Sequence, residues 1–462
     1  MSSSEEPGRE TPEGTEEGGG AAAPTRSERR WLVAILAAFA ALSVAYGAIM
    51  PLGYAPDEPR HYAYVKLLME RHVLPRTYAD GTERGGAIAV HPPLYYAVLG
   101  VLYYPAKALG GAWAAQRLYR LISTALGVLT LLCVWSVSRR AFPNRGGLAL
   151  LITALTGCTP HFLMDQSIIN NDSAANLICP LFVWFLLRRR EAGWRLGDAA
   201  WCGVLMGLFA LVKGQALACL PPVFLVVLAW DYGRGCRRRG AFWARAGIGL
   251  ALLVALCGWW YARNLVLYHQ ITYLPTNYRG IPAGMSLADA WVNGTIPGLM
   301  GQAIGGLFRS LWAQVGWFPV SLAGPIYTVL LSLLLLAIGG WVYLAVRRRR
   351  GETVELPIRP REVAAQFLVF ATAYLLVFYV AVFQHVGWSE GGRYILVGLS
   401  GFTTFLAAGW YVAVPPRFRL AGGVLVLALF LLLNAISMWH LVTYSNPTYA
   451  PGVGFWDPIA GT

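Results

Sequence analysis

Apolar runs of about 20 residues recur along nearly the whole chain, the length a helix needs to cross a hydrocarbon layer about 30 Å thick. Lipid offers no partner to a free backbone N–H or C=O, so each run must close its hydrogen bonds within itself, as a helix does. The runs fall at 31–50, 117–138, 146–162, 173–187, 199–212, 215–230, 246–264, 322–346, 364–384, 393–413 and 419–442. The expected fold is an all-α polytopic membrane protein of about eleven spans. A single water-soluble core is excluded: 56% of the 462 residues are hydrophobic, 13% are charged and the mean hydropathy is +0.50. The seven cysteines stand mostly inside apolar runs with no CxxC spacing, which argues against a disulfide framework or a zinc site.

The net charge of +14 would suit a nucleic-acid partner if it formed one patch, but it does not. The arginines sit in short clusters between runs: Arg139, Arg140 and Arg145; Arg188 to Arg190; Arg237 to Arg239; Arg347 to Arg350; Arg417 and Arg419. That is the pattern of cytoplasmic loops, and threading the runs from a cytoplasmic N-terminus puts every cluster inside. Residues 1–30 lack apolar periodicity and read as a disordered cytoplasmic tail. Arg26, Arg29 and Arg30 precede the first run, which reads as an uncleaved signal anchor. Residues 31–445 then form one membrane domain with large external loops at 51–116 and 265–321, and 446–462 form a short external tail. Segment 91–108 is apolar but broken by Pro92, Pro93 and Pro105, so it is placed as a juxtamembrane helix in the first external loop. Basic residues other than Lys66, Lys107 and Lys213 are all Arg, which suggests a high-GC bacterial genome and hence a bacterial inner membrane.

Polar motifs gather on the external side of this threading. Asp57 and Glu58 follow the first span within Pro56–Asp57–Glu58–Pro59–Arg60–His61–Tyr62. Adjacent carboxylates at a membrane surface can act as a general base, hold a divalent cation such as magnesium or manganese, or simply start the following helix. His91–Pro92–Pro93–Leu94–Tyr95–Tyr96 presents a histidine with two aromatics after a rigid entry. Asp165 to Asp172, ending Asn170–Asn171–Asp172, forms a short polar hairpin that is either turn chemistry or the lip of a site. Lys213 lies at the outer end of an apolar hairpin, where it either snorkels or serves a ligand. Arg263 in Trp260–Tyr261–Ala262–Arg263–Asn264 and Arg393 in Gly391–Gly392–Arg393–Tyr394 sit at comparable depths. Three cations on the side otherwise poor in positive charge suggest an anionic ligand, phosphate first. Arg309 to Trp317 is a Trp-rich stretch that suits either an interface belt or stacking on a ring.

The order of these motifs resembles the GT-C superfamily of multispanning glycosyltransferases, near the protein mannosyltransferases and lipid A aminoarabinose transferases, over about residues 31–445. The resemblance implies a GT-C-like bundle with juxtamembrane helices in the first external loop. It also implies a catalytic carboxylate at Asp57 with Glu58 beside it, a polyprenyl-phosphate sugar donor, and chemistry outside the cytoplasm. His61, His91, Asn171, Asp172, Lys213, Arg263, Arg393 and Tyr394 are then the expected substrate-binding residues, with a glycan, lipid or protein as acceptor. Many relatives carry a soluble C-terminal domain; here the chain runs about 20 residues past the last span, so acceptor recognition is expected to rest on loops or a partner. The rival readings are a transporter or flippase of lipid-linked glycan, and a glycan ligase or polymerase. No internal repeat with matching broken helices, the usual mark of a transporter, is visible.

Overall fold

The computed structural model describes residues 23–78, 82, 84–232, 236–271, 285–313, 322–352, 358–384 and 391–444. Residues 1–22 of the tail expected at 1–30, the tail expected at 446–462, and residues 314–317 of the Trp-rich stretch lie outside them. The chain begins with α1 (Arg26–Ile49), α2 (Glu58–Arg71), α3 (Leu94–Gly100), α4 (Tyr103–Ala141), α5 (Gly146–Gly157), α6 (Pro160–Asp165), α7 (Asp172–Ala192) and α8 (Leu196–Val212). It continues with α9 (Ala216–Tyr232), α10 (Cys236–Tyr268), α11 (Leu287–Val292), α12 (Thr295–Trp312), α13 (Gly324–Arg349), α14 (Pro360–Tyr379), α15 (Leu399–Ala413) and α16 (Arg419–Tyr444). A 3-10 segment, Gly391–Gly398, leads into α15.

Seven helices among the described residues are long and apolar enough to cross a membrane; three shorter apolar helices, α5, α8 and α9, accompany them. With α7 these are the eleven passes expected from the apolar runs, and the chain is a multi-pass membrane protein. Helix α1 starts at Arg26, five residues before the apolar run. Thr25 and Glu28 form a reciprocal capping box there, so the helix starts inside the stretch expected to be tail.

Segment 91–108 does not cross. It divides into α3 and the first turns of α4, which kink at Gly110–Gly111. Gly111 has φ 66°, a left-handed conformation that a side chain would strain. Helix α3 has 7 residues, about 10 Å at 1.5 Å per residue and a third of the hydrocarbon thickness.

Pro160, at the start of α6, breaks the next pass between α5 and α6. The carbonyl of Cys158 freed at this break accepts from Asn434 Nδ2 at 2.7 Å, and Tyr46 Oη donates to Asn434 Oδ1 at 3.0 Å. A buried Asn on α16 thus supplies the bond that lipid cannot.

Alternation of the passes sorts the polar groups to two ends. At one end Glu191 pairs with both Arg140 and Arg359, and Arg190 pairs with Asp231 at 3.1 Å. Arg145 and Arg419 lie over the Tyr411 ring at the same end. The other end carries α2, α3, α6 and α12 together with the loop motifs.

Candidate functional site

The site is built outward from the end of α1, whose last carbonyls have no helical partner. Arg120 of α4 supplies one: its Nη1 donates to Gly47 O and Met50 O at 2.7 Å, and its Nη2 to Pro51 O at 2.9 Å. Arg117 adds a bond to Gly47 O at 2.9 Å. The same guanidinium grips Glu58, with Nε to Oε1 at 2.7 Å and Nη2 to Oε2 at 2.5 Å. Gly53 N and Ile169 N donate to the two carboxylate oxygens from the other sides, at 3.0 and 3.1 Å. Glu58 is fully buried and all of its bonding capacity is used within the protein. Through these bonds Glu58 ties α1, α2, α4 and the α6–α7 loop together, where the sequence suggested a second catalytic or cation-binding carboxylate.

That lock holds its neighbour in an uncommon backbone conformation. Asp57 has φ 59° and ψ −1°, the left-handed region, and occupies the N-cap position of α2 without making any side-chain cap bond. The helix-start reading therefore does not account for its carboxylate, which points the other way. Oδ2 accepts from Arg393 Nη2 at 2.7 Å and Oδ1 from Arg60 Nη1 at 3.2 Å. Burial pushes the Asp57 carboxyl up, but the charges of Arg393 and Arg60 outweigh it and hold the group well below the usual carboxylate range. It is ionised at neutral pH.

Arg393 arrives on the 3-10 segment because Gly392 lets that segment touch α12. A Cβ at position 392 would come 2.4 Å from the Ser310 carbonyl carbon. Gly392 N donates to Ser310 Oγ at 3.0 Å, and His161 Nδ1 bonds Ser310 O from α6. Arg393 Nη2 also donates to Tyr394 Oη at 2.6 Å. Lys213 stands 4.7 Å above the Tyr394 ring and forms a buried ion pair with Asp172. Asn171 Nδ2 donates to Val212 O at 2.9 Å, fixing the end of α8 just before Lys213, and Gln215 Nε2 holds Tyr394 O at 2.9 Å. Tyr394 thus joins the two cations, and Asp57, Arg393, Tyr394, Lys213, Asn171 and Asp172 form one cluster.

Two histidines form an aromatic wall beside it. His61 Nδ1 bonds Tyr96 Oη at 2.8 Å, its ring stacks on His91 at 5.6 Å, and Tyr96 stacks on Tyr64 at 3.8 Å. Burial pushes His61 down to about 3 and His91 well below its ordinary value, so both rings are neutral.

Arg263 is not part of the cluster. It lies over Trp260 at 4.7 Å and donates to Pro75 O at 2.6 Å, tying the end of α10 to the strand of chain after α2. The sequence placed it with Lys213 and Arg393, whereas its contacts here are with Trp260 and Pro75. Trp312 is buried edge-on against Phe402 and Phe430, a core contact. Among the described residues no three His, Cys, Asp or Glu side chains stand together as a metal site. Glu58 is spent on Arg120 and Asp57 is flanked by two guanidiniums, so the acidic pair does not fit a resident cation.

The sequence motifs give Arg120 no role, and they include Asp165 and Ser310 only as members of longer stretches. Arg117 and Arg120 did carry a signal, being arginines at the external end of a threaded span, where the positive-inside pattern disfavours them.

This architecture is the GT-C fold of multispanning membrane proteins. The oligosaccharyltransferase of Archaeoglobus fulgidus in its apo form superposes with TM-score 0.53 at 13% identity, over 91% of this chain and 57% of that one. The archaeal oligosaccharyltransferase AglB from Archaeoglobus fulgidus, in complex with an inhibitory peptide and a dolichol-phosphate, gives 0.52 at 14% over 90% and 56%. ArnT from Cupriavidus metallidurans bound to undecaprenyl phosphate gives 0.49 at 16% over 86% and 63%. The chain thus spans less than two thirds of the length of each.

Within that fold, residues 91–260 match the family model of dolichyl-phosphate-mannose-protein mannosyltransferases, a segment running from His91 through Asp172 and Lys213. No curated protein matches in sequence. The GT-C resemblance drawn from the ordered motifs is borne out.

Proposed function

We propose that this protein is a glycosyltransferase that moves a sugar from a polyprenyl-phosphate donor to an acceptor hydroxyl on the non-cytoplasmic face of a bacterial inner membrane. The observation that carries the reading is Asp57: a left-handed, ionised carboxylate with no capping role, braced by the Glu58–Arg120 lock and set beside Arg393. The acceptor oxygen forms a bond to the anomeric carbon while the bond to the donor phosphate oxygen breaks. Asp57 takes the acceptor proton, and the polyprenyl phosphate leaves with the electron pair. Arg393 and Lys213 face the charge that grows on that phosphate, so they stabilise the transition state more than the ground state. The neutral His61–His91 wall is suited to pack against the sugar or acceptor without adding charge. The arginine-rich end is read as cytoplasmic by the positive-inside pattern, which leaves the site outside.

The test is transfer from radiolabelled polyprenyl-phosphate sugars to native membrane extract by the purified protein. A labelled product is expected from the wild type, and Asp57→Asn should cut its rate about 10²–10⁴-fold, since Asn tolerates the left-handed backbone but cannot take the proton. No transfer from any donor, or full activity of Asp57→Asn, refutes the reading. Movement of lipid-linked glycan across vesicles without transfer would favour the transporter instead.

A further inference from the structure

Asp165 has no part in the steps above, yet it is among the most enclosed carboxylates of the molecule, 1% exposed at the end of α6. Both oxygens are held: Asn170 Nδ2 donates to Oδ1 at 2.7 Å and Asn176 Nδ2 to Oδ2 at 2.9 Å. Asn170 also caps α7 through its Oδ1 and Ser173 N at 2.9 Å, one residue from Asp172. The charged and titratable groups facing Asp165 are Lys213 from the α8–α9 turn, Arg393 from the 3-10 segment and Tyr95 from α3; Asp172 reaches it through Lys213. Burial pushes Asp165 above the usual carboxylate range, against the pull of Lys213 and Arg393. The amide oxygens of Asn171 and Asn176, both buried, find no partner among the described residues.

Charge balance gives this arrangement a consequence. With every carboxylate ionised, Asp57, Asp165 and Asp172 are matched by Arg60, Arg393 and Lys213. A phosphodiester brought to Lys213 and Arg393 adds one more negative charge in a medium where an unmatched charge is costly. We propose that Asp165 is a positioning residue that takes up one proton as the donor phosphate binds, releasing Lys213 from a competing carboxylate and keeping the cluster neutral. Asp165 is the member of the cluster that can yield its charge, since Asp57 is held by two guanidiniums and Asp172 by Lys213 itself. When the polyprenyl phosphate departs as a monoester carrying the electron pair of the broken bond, the proton on Asp165 offsets part of its second charge. The proposal rests on the lipid-phosphate reading of the Lys213 site.

The probe is farnesyl methyl phosphodiester, whose single charge does not titrate near neutrality. Its binding to the full-length protein in detergent is measured by calorimetry in buffers of different ionisation enthalpy. Uptake approaching one proton is expected above the Asp165 titration. Affinity should fall toward about tenfold per pH unit there and level off on the acid side. Asp165→Asn should bind with the wild type's acid-side affinity at every pH and take up no proton. A merely structural role predicts weaker binding by Asp165→Asn at all pH values and unchanged proton uptake in any variant that folds. Binding by the wild type without proton uptake overturns the proposal whatever the variant does. Sugar transfer without proton-linked binding sinks this inference alone; neither transfer nor binding sinks the functional reading and this inference with it.

Discussion

Glu58→Gln separates a structural carboxylate from a chemical one. Each Glu58 oxygen accepts one N–H from Arg120 and one backbone N–H, from Gly53 or Ile169. Whichever way the Gln amide turns, its NH2 meets two donors, so two of four bonds are replaced by donor–donor contacts. The guanidinium loses its counter-charge while buried, its side chain 4% exposed. Bonds to charged groups contribute about 1.5–3 kcal/mol each, and removing one partner of a buried pair costs about 3–5 kcal/mol. The second figure already contains the first, so about 3–5 kcal/mol is the expected loss, a large share of a typical stability of about 5–15 kcal/mol. Denaturant unfolding in micelles reads it directly. Glu58→Leu combined with Arg120→Leu should recover part of the loss through packing, although the carbonyls of Gly47, Met50 and Pro51 lose their donor. A Glu58→Gln protein as stable as wild type but unable to transfer sugar would refute the reasoning and return Glu58 to the chemistry.

Asp57→Asn should show the opposite signature, with unfolding nearly unchanged and turnover reduced as given above. Lys213→Ala leaves Asp172 buried without its partner and should lose about 3–5 kcal/mol; Lys213→Met with Asp172→Asn should fold well yet bind the farnesyl phosphodiester about 10–100-fold more weakly. Recovered affinity in that double variant would exclude Lys213 from the phosphate site. Acidification should destabilise the fold: His61 stays neutral down to about 3, whereas the unfolded chain takes its proton near 6.5. Stability therefore falls as pH drops through that window, by up to about 1.4 kcal/mol per unit for each such histidine. His61→Gln should shallow the slope of an acid titration, and an unchanged slope would refute the assignment. For topology, exposed Arg71→Cys should react with an impermeant thiol reagent added outside and Arg349→Cys only after permeabilisation; the reverse pattern inverts the orientation.

The architecture was legible because its cause is local. A span is a statement about some twenty consecutive side chains and the solvent they face, so the eleven passes and the non-crossing of 91–108 follow from composition and proline alone. Which loops share an end of the bundle was legible for a similar reason, since the Arg clusters lie next in sequence to the runs they follow. Even the approximate membership of the cluster could be read: Asp57, Asp172, Lys213 and Arg393 all border spans at one end.

Which of those bordering residues meet was not local, and only the tertiary structure decided it. Lys213, Arg263 and Arg393 look alike in sequence, three cations at one depth, but depth specifies height and not position around the bundle. Packing of the 3-10 segment on α12 through Gly392 brings Arg393 to Asp57, while α10 carries Arg263 to Pro75. Asp57 and Glu58 differ in sequence only by one step along a turn, yet one faces Arg393 and the other Arg120. Arg120 stands 62 residues from its partner, and no spacing rule links positions that far apart. The division follows from the physics: lipid reads each segment by itself, so hydropathy writes the passes into the chain one at a time. Ion pairs at the ends of those passes exist only after the helices have packed and chosen which faces to bring together.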